Sequence, residues 1–160
     1  MAMNIACFGI RQKFSKVPQL STQELAEWQA EGKQVTLLDA RPIEEFEISR
    51  IEGAARVDPD HLQESIPQVE ELIDATPTDQ PVVLYCSIGY RSCLVADKLI
   101  NKWKNSPGKS RPIYNLEGSL FKWANESRPL VDNSGSPTKL VHPYNNVWGR
   151  LLEKSLHANV

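Results

Sequence analysis

The stretch VVLYCSIGYRS, residues 82–92, decides the fold. Its first four residues are β-branched, apolar or aromatic, which is the composition of a short buried strand, and Cys86 follows at the strand's C-terminal end. From Arg91 onward the apolar side chains recur at helical spacing, at Leu94, Val95, Leu99, Ile100 and Trp103. The stretch therefore predicts a strand, a tight loop and a helix in direct succession.

Cys86 is predicted to be a nucleophile inside a loop of backbone amides. The N–H groups of the loop and the positive pole of the helix converge on the thiol, and anions bind readily at such helix N-termini. Gly89 tolerates the positive φ that turns the amides inward, and Ser87 and Ser92 offer further donors. A thiol in such a place, near a guanidinium, has a pKa of roughly 3.5 to 7.5, against about 8.5 for a free cysteine. We therefore expect a thiolate at neutral pH.

A cysteine at the end of a buried strand also has a purely structural interpretation, because free cysteines often pack as small hydrophobes. For an isolated cysteine that interpretation is the better one. Here a glycine follows three residues later, an arginine five residues later and a helix directly after them. This combination favours the nucleophile.

Helical and strand patterns alternate along the chain, which predicts an α/β fold with a parallel sheet covered on both faces. The capping-box sequence Ser21 to Glu24 predicts a first helix that ends near Gly32. Pro67 is expected to interrupt an amphipathic helix over residues 62–73. The other predicted elements are strands at 35–38, 54–57 and 112–115, a short helix after Pro42 and a helix at 119–125.

The order Cys-x-x-Gly-x-Arg-Ser after an apolar strand closely resembles the active-site loop of rhodanese-type sulfurtransferases. Two further segments are similar to that family, TLLDARPIEEFEISRIEGAARV at 36–57 and IYNLEGSLFKWANESRPLV at 113–131. One departure is Ser49-Arg50-Ile51, where the family usually has Gly-His-Ile. The resemblance implies a rhodanese-like domain at 15–131, with an open, mainly parallel five-stranded sheet and helices on both faces. Residues 132–160 are expected to form a linker and a C-terminal tail.

The resemblance also implies a reaction and a set of site residues. Cys86 would take the outer sulfur of a donor such as thiosulfate or a persulfide, hold it as a persulfide and pass it to a thiophilic acceptor such as cyanide or a thiol. Arg91 would bind the anionic donor, and the loop amides would cradle the transferred sulfur. The predicted substrate-binding residues are Ser87, Ile88, Gly89, Tyr90, Arg91 and Arg41.

Two other functions stay open at this point. A persulfide carrier would receive sulfur from one protein partner and deliver it to another, with little turnover of free thiosulfate. Related phosphatases and arsenate reductases share the architecture but have five residues between cysteine and arginine. This chain has four residues between Cys86 and Arg91, which is one short for a tetrahedral oxyanion.

Arg41 and Cys93 each have two interpretations. Arg41 follows a predicted strand next to the one that carries Cys86, and the carboxyl ends of parallel strands line the ligand crevice of open α/β sheets. It either contacts the substrate or forms a surface ion pair with Asp39. Cys93 either resolves a disulfide with Cys86 or packs in the core, and packing is the simpler expectation.

Composition argues against several other classes of function. The formal net charge of −2, from 18 basic and 20 acidic side chains, gives no electrostatic footprint for nucleic acid or an anionic membrane. The cysteines and histidines lack metal-ligand spacing, and nothing calls for a bound cofactor. No apolar run has the ~20 residues of a membrane helix. Three cysteines do not form a disulfide framework, so we expect a cytoplasmic protein.

The tail after residue 131 lies outside the resemblance. A polar stretch at 132–139 precedes apolar residues at helical spacing, which predict one apolar face on a terminal helix. That face either packs on the domain, the simpler expectation, or contacts a partner such as a sulfur-relay protein. The residues are Val147, Trp148, Leu151, Leu152 and Leu156.

Overall fold

The structure, a computed structural model, describes residues 1–160. Its main feature is a sheet of five strands in the order β1-β5-β4-β2-β3, and every neighbouring pair is parallel. This arrangement confirms the predicted sheet. The strands are β1 (Gln19–Leu20), β2 (Thr36–Asp39), β3 (Ala55–Arg56), β4 (Val82–Tyr85) and β5 (Ile113–Leu116).

Six α-helices accompany the sheet. Parallel crossover connections are right-handed, so this strand order places α2 and α3 on one face of the sheet and α4 and α5 on the other, and α6 packs beside α2. Contacts between α2 and α6, and an ion pair between Glu70 of α4 and Lys102 of α5, agree with that placement. The helices are α1 (Ala2–Lys13), α2 (Thr22–Ala30), α3 (Ile43–Ile48), α4 (Leu62–Asp74), α5 (Tyr90–Trp103) and α6 (Ser119–Asn125).

Strand β4 forms the centre of the core. All four of its residues are fully buried, because neighbouring strands flank it on both sides and helices cover both faces. Its register with β2 pairs Leu84 with Leu38 and Tyr85 with Asp39, and the Ala40 amide donates to the Tyr85 carbonyl at 2.8 Å. The carboxyl ends of β2 and β4 therefore meet at one edge of the sheet, directly beside Cys86.

Two predicted helical features have clear outcomes. The capping box is confirmed, since the Ser21 side chain accepts from the Glu24 amide while the Glu24 side chain accepts from the Ser21 amide. The interruption at Pro67 is wrong, because α4 runs through it without a break. Pro67 is the sixth residue of the helix, so it removes only the one hydrogen bond that its missing N–H would have donated to residue 63.

The two ends of the chain depart most from the predicted elements. Helix α1 has no predicted counterpart, and it buries Cys7 and Ile10 against the domain. The predicted terminal α-helix is wrong: the apolar residues of the tail lie in two short 3₁₀ turns, Trp148–Leu151 and Lys154–Leu156. A short antiparallel pair, β6 (Leu130–Val131) and β7 (Pro137–Thr138), precedes them.

Side-chain hydrogen bonds hold the tail in its short turns. His157 Nε2 donates to the Leu152 carbonyl at 3.0 Å and to the Gly149 carbonyl at 2.9 Å, and the latter also accepts from the Leu152 amide. Val141 and Leu152 are buried in the main core cluster. The segment 132–160 is therefore packed on the rest of the chain.

None of the helices is long and apolar enough to cross a membrane.

Candidate active site

The loop between β4 and α5 presents Cys86 at the carboxyl edge of the sheet. Gly89 is the N-cap of α5 and has a φ of 113°, a conformation that side-chain-bearing residues rarely adopt. The positive φ reverses the chain at the helix start, so that amides of the loop and the first helical turn point toward the cysteine.

The Cys86 sulfur accepts hydrogen bonds from this loop. The Gly89 amide donates to Sγ at 3.1 Å, and the Ser92 hydroxyl lies 3.5 Å from it. The same hydroxyl is 2.6 Å from Asn115 Oδ1, so its single proton is shared between two acceptors and favours the shorter contact. The amide of Gly89 is therefore the steady donor to the sulfur.

The pKa of the Cys86 thiol lies below its ordinary value. Burial by itself raises that pKa, but the charge of Arg91 and the hydrogen bonds from Ser92 and Gly89 outweigh it. Favouring the thiolate in a buried place is the usual signature of a reactive cysteine. The loop thus brings a hydrogen-bond donor and a positive charge to the Cys86 sulfur.

Arg91 is held by an acidic partner. Its guanidinium makes two hydrogen bonds to Glu45 of α3, at 2.9 and 3.0 Å, and a third to the Ser87 hydroxyl at 2.9 Å. Ser87 in turn donates to Glu45 at 3.1 Å. Burial raises the pKa of Glu45, and the hydrogen bond and charge of Arg91 more than offset that, leaving it lowered. Arg91 therefore acts on Cys86 as a fixed, paired charge.

Replacing Arg91 tests that electrostatic role. Arg91→Met should raise the pKa of Cys86, because the largest lowering influence on the thiol is lost. The rate of alkylation by iodoacetamide, measured against pH, should then rise at a higher pH than in the wild type. The double variant Glu45→Gln/Arg91→Met controls for the unpaired carboxylate and should show the same direction of shift. If the pH dependence of alkylation stayed unchanged in both variants, Arg91 would not influence the pKa of the Cys86 thiol.

The first residues of α6 form hydrogen bonds to the backbone of the loop. The amides of Leu120 and Phe121 donate to the carbonyls of Cys86 and Ser87, each at 3.0 Å. The Ser119 hydroxyl accepts from the Cys86 amide at 3.3 Å. Because these groups are buried, the loop has no freedom to turn its inward amides away.

Gly89 offers a second test of the loop. A Cβ at this position would lie 3.0 Å from Asn115 Nδ2, and the φ of 113° is strained for any side chain. Gly89→Ala should therefore destabilise the fold by about 1–2 kcal/mol and lower turnover on the order of a hundredfold by displacing an amide donor. Gly108→Ala is the matched control, since nothing lies within 4 Å of its added Cβ and its φ is not positive. Equal turnover in the two variants would show that the amide of Gly89 is dispensable.

Arg41 does not take either of its predicted places. It is fully buried and absent from the cavity lining, so the structure gives no substrate contact. Its pairing with Asp39, at 2.8 and 2.7 Å, is a buried bidentate ion pair instead of a surface pair. A further bond to the Ser49 carbonyl at 2.6 Å ties the end of β2 to the chain after α3. Arg41 is thus a structural residue in this conformation.

The other two cysteines are buried thiols. Burial raises the pKa of Cys93 to about 12 and also raises that of Cys7. Cys93 lies on α5 in the core cluster, in keeping with a packing role, and all three cysteines are free. No three His, Cys, Asp or Glu side chains are grouped to hold a metal ion.

A cavity of about 310 Å³ lies over Cys86. Its floor is the predicted loop, and its walls come from α1 on one side and the tail on the other. Arg91 is the only basic side chain in the lining. The lining residues are Ala6 and Ile10 of α1, Cys86, Ile88, Tyr90 and Arg91 of the loop and α5, and Tyr144 and Trp148 of the tail.

Several of these residues were not identified from the sequence. Glu45 stands beside Phe46 in the quoted segment 36–57, but nothing in the sequence indicated that it would pair with Arg91. Trp148 was predicted only as part of an apolar helix face in the tail and Tyr144 was not singled out, so no pattern placed either residue at the site. Of the predicted substrate-binding residues, Ile88, Tyr90 and Arg91 line the cavity, Ser87 and Gly89 lie directly behind it, and Arg41 does not reach it.

The family model described as the rhodanese-like domain matches residues 21–126. The probable adenylyltransferase/sulfurtransferase MoeZ of Mycobacterium tuberculosis is 30% identical over 115 residues, which cover 72% of this chain and 26% of that protein. The chain therefore spans about a quarter of the length of this curated relative. A protein named sulfurtransferase from Allochromatium vinosum is 28% identical over 119 residues, covering 74% of this chain and 99% of that protein.

Solved structures share the fold. Thiosulfate sulfurtransferase from Pseudomonas aeruginosa matches with a TM-score of 0.64 and 21% identity, over 82% of this chain and 23% of that chain. Saccharomyces cerevisiae Ygr203w, described as a homolog of single-domain rhodanese and the Cdc25 phosphatase catalytic domain, matches with a TM-score of 0.60 and 17% identity, over 70% and 82% of the two chains. One architecture is thus similar to proteins of both descriptions.

Proposed function

Because the chain belongs to the rhodanese-like domain family, we propose that it is a sulfurtransferase that carries sulfane sulfur on Cys86. The observation that carries the proposal is the position of the buried Cys86 thiol, which accepts a hydrogen bond from the Gly89 amide at 3.1 Å beside the Arg91 guanidinium, so that its pKa is lowered. Such a thiolate is a strong nucleophile, and its inward amides are placed to stabilise a second sulfur with negative charge.

The reaction has two displacement steps. In the first, the Cys86 thiolate attacks the outer sulfur of the donor, the donor's S–S bond breaks, and the leaving group departs with the bonding electron pair, as sulfite when the donor is thiosulfate. In the second, an acceptor nucleophile attacks the terminal sulfur of the persulfide, and Cys86 leaves as a thiolate. With cyanide as the acceptor the product is thiocyanate. No proton or external electron is needed in either step.

Two observations support this function over its rivals. The four residues between Cys86 and Arg91 make a tighter loop than the five of the related phosphatases, which suits one added sulfur better than a tetrahedral oxyanion. Cys86 has a relative exposure of only 1% and lies beneath the walls of the cavity, so a small donor reaches it more easily than the cysteine of a partner protein. A reducing compartment such as the cytoplasm suits a reaction that needs free thiols.

The test is to incubate the purified chain with a sulfane-sulfur donor and cyanide and to measure thiocyanate. Turnover is expected with thiosulfate or with an organic thiosulfonate. The hydrolysis of an aryl phosphate is measured in parallel. Phosphate release by the wild type but not by Cys86→Ser, without thiocyanate from any donor, would overturn the proposal in favour of a phosphatase. Transfer only from a protein-bound persulfide would favour the carrier.

A further inference from the structure

The cavity over Cys86 is chemically unlike a site for a small dianion. Its single basic lining residue, Arg91, already makes two hydrogen bonds to the Glu45 carboxylate and interacts with the negative charge of the Cys86 thiolate, so little of its positive charge is left for a second anion. Lys13 lies over the ring of Tyr90, with Nζ 5.2 Å from the centroid, but it does not line the cavity. The rest of the wall is aliphatic and aromatic. A dianion that enters would lose hydration and gain contacts mainly with the loop amides.

Resting on the sulfur-transfer function above, we propose that the preferred donor is an organic sulfane-sulfur compound with an apolar leaving group the size of an aromatic ring. The volume of about 310 Å³ exceeds the roughly 150 Å³ of an apolar cavity that holds benzene, so a ring and its sulfur substituents fit above Cys86. Tyr144, Trp148 and Ile10 are then the residues that determine specificity.

Tyr144 forms a wall that is fixed before any substrate binds. It has a φ of 69°, a left-handed conformation that is uncommon for a bulky residue and is kept only where surrounding contacts impose it. The guanidinium of Arg91 lies over its ring, with Cζ 4.0 Å from the ring centroid. The left-handed backbone at Tyr144 thus places its ring beside Arg91, at the edge of the catalytic loop.

The segment that carries Trp148 is also held by specific bonds. Asn145 Oδ1 accepts from the amides of Val147 and Trp148 at 3.0 and 2.8 Å, which closes a tight turn. On the far side of the 3₁₀ turn, Asn125 of α6 donates to the Leu151 carbonyl and accepts from the Glu153 amide, each at 2.9 Å. Asn125 therefore binds both a carbonyl and an amide of the tail backbone and ties the tail to α6. These bonds position Trp148 without a ligand.

The opposite wall is fixed to the same loop. Phe14, just after α1, packs edge-on against Tyr90 with ring centroids 5.3 Å apart, and Arg11 pairs with Glu117 at 2.8 Å. These contacts hold Ile10 and Ala6 over the cavity. Both walls lie outside residues 21–126, the part of the chain that the family model matches, so the selectivity belongs to this chain's own terminal segments.

The proposed step balances with an aryl thiosulfonate as donor. The Cys86 thiolate attacks the terminal sulfur of benzenethiosulfonate, the S–S bond breaks, and benzenesulfinate leaves with the electron pair. Two negative charges enter and two leave, on the persulfide and the sulfinate. The leaving ring lies against Trp148 and Tyr144 and is held there by apolar contact in the transition state.

The experiment compares kcat/KM for benzenethiosulfonate, methanethiosulfonate and thiosulfate, with cyanide as acceptor. Each value is divided by the rate of the same donor with a small free thiol, which removes intrinsic differences in reactivity. After this correction we expect benzenethiosulfonate to exceed each of the other two by at least about tenfold, the discrimination that an apolar pocket readily gives.

Substitutions in the two cavity walls test whether these walls cause the preference for benzenethiosulfonate. Trp148→Ala should reduce the ratio of benzenethiosulfonate to methanethiosulfonate about tenfold, and Ala6→Phe, which fills the cavity from the opposite wall, should reduce it as well. Leu72→Ala is the control, because Leu72 on α4 is as exposed as Trp148, at 43% against 39%, and lies outside the cavity. It should leave the ratio unchanged.

The outcomes separate this inference from the function on which it rests. Equal corrected values for the three donors, or a ratio that neither variant changes, would overturn the donor preference while sulfur transfer stands. The absence of both thiocyanate and a Cys86 persulfide with every donor would refute the sulfur-transfer function itself, and the preference with it. A high ratio that falls in both variants but not in Leu72→Ala supports the proposal.

Discussion

Cys86→Ser should abolish sulfur transfer, with a loss of at least about a thousandfold in thiocyanate formation. Removal of a catalytic nucleophile typically costs several orders of magnitude, and a serine hydroxyl in this loop has neither the acidity nor the polarisability to displace sulfur. The substitution is nearly isosteric, and the amide contacts of the loop remain available to the hydroxyl. The fold should therefore survive, as circular dichroism and thermal unfolding will show.

Cys93→Ala is the matched control for that variant. Cys93 lies on the same helix-loop unit but is buried in the core, and burial raises the pKa of its thiol to about 12. The variant should keep wild-type turnover within about twofold after correction for any loss of folded protein, since a core substitution of this size costs little. If a folded Cys93→Ala protein were inactive, Cys93 would have to act as a resolving thiol. If Cys86→Ser kept its activity, the whole site assignment would fail.

Arg41→Ala should cause the largest loss of stability, about 3–5 kcal/mol in the free energy of unfolding. The change leaves the carboxylate of Asp39 fully buried without its cationic partner, and removing one member of a buried ion pair carries a penalty of about that size. The bond to the Ser49 carbonyl is lost with it. Urea unfolding followed by fluorescence measures the effect.

Arg56→Ala provides the comparison for a half-buried pair. Its partner Asp58 lies 3.9 Å away and Arg56 makes one long hydrogen bond, at 3.4 Å, to the Arg41 carbonyl, so the loss should stay below about 1 kcal/mol. Similar losses in Arg41→Ala and Arg56→Ala would mean that the buried network contributes no more than a solvated one. Replacing both Asp39 and Arg41 by apolar residues should recover much of the stability that Arg41→Ala loses, because no buried charge then remains unpaired.

The sheet and the catalytic loop were predictable because they depend on local sequence. Strand β4 is a run of apolar residues buried on both faces, and it requires no knowledge of its neighbours to identify. Gly89 at the start of α5 and the capping box at Ser21 likewise act within a few residues of their own positions. In each of these features the local conformational preference of the sequence agrees with the structure in the whole fold, so the sequence alone predicts it.

The parts that escaped prediction depend on contacts between distant segments. Glu45 pairs with Arg91 across 46 positions, and nothing in the spacing of either residue fixes the pair. The sequence left Arg41 either in contact with the substrate or in a surface ion pair, because a strand-end arginine is usually solvated. Three hydrogen bonds from its guanidinium accompany its burial instead.

The tail illustrates the limit most clearly. Its apolar spacing is that of a helix, but Asn125 and His157 bind its backbone carbonyls and hold it in 3₁₀ turns. The walls of the cavity therefore follow from tertiary structure alone, while its floor follows from eleven consecutive residues of sequence, 82–92.

The most direct test of the account is the intact mass of the reduced protein after incubation with a sulfane-sulfur donor and removal of excess reagent, followed by peptide mapping. The account predicts a gain of one sulfur atom, located on Cys86, absent from Cys86→Ser and lost again when cyanide is added. A folded protein whose Cys86 alkylates readily but gains no sulfur from thiosulfate or from either thiosulfonate would contradict it.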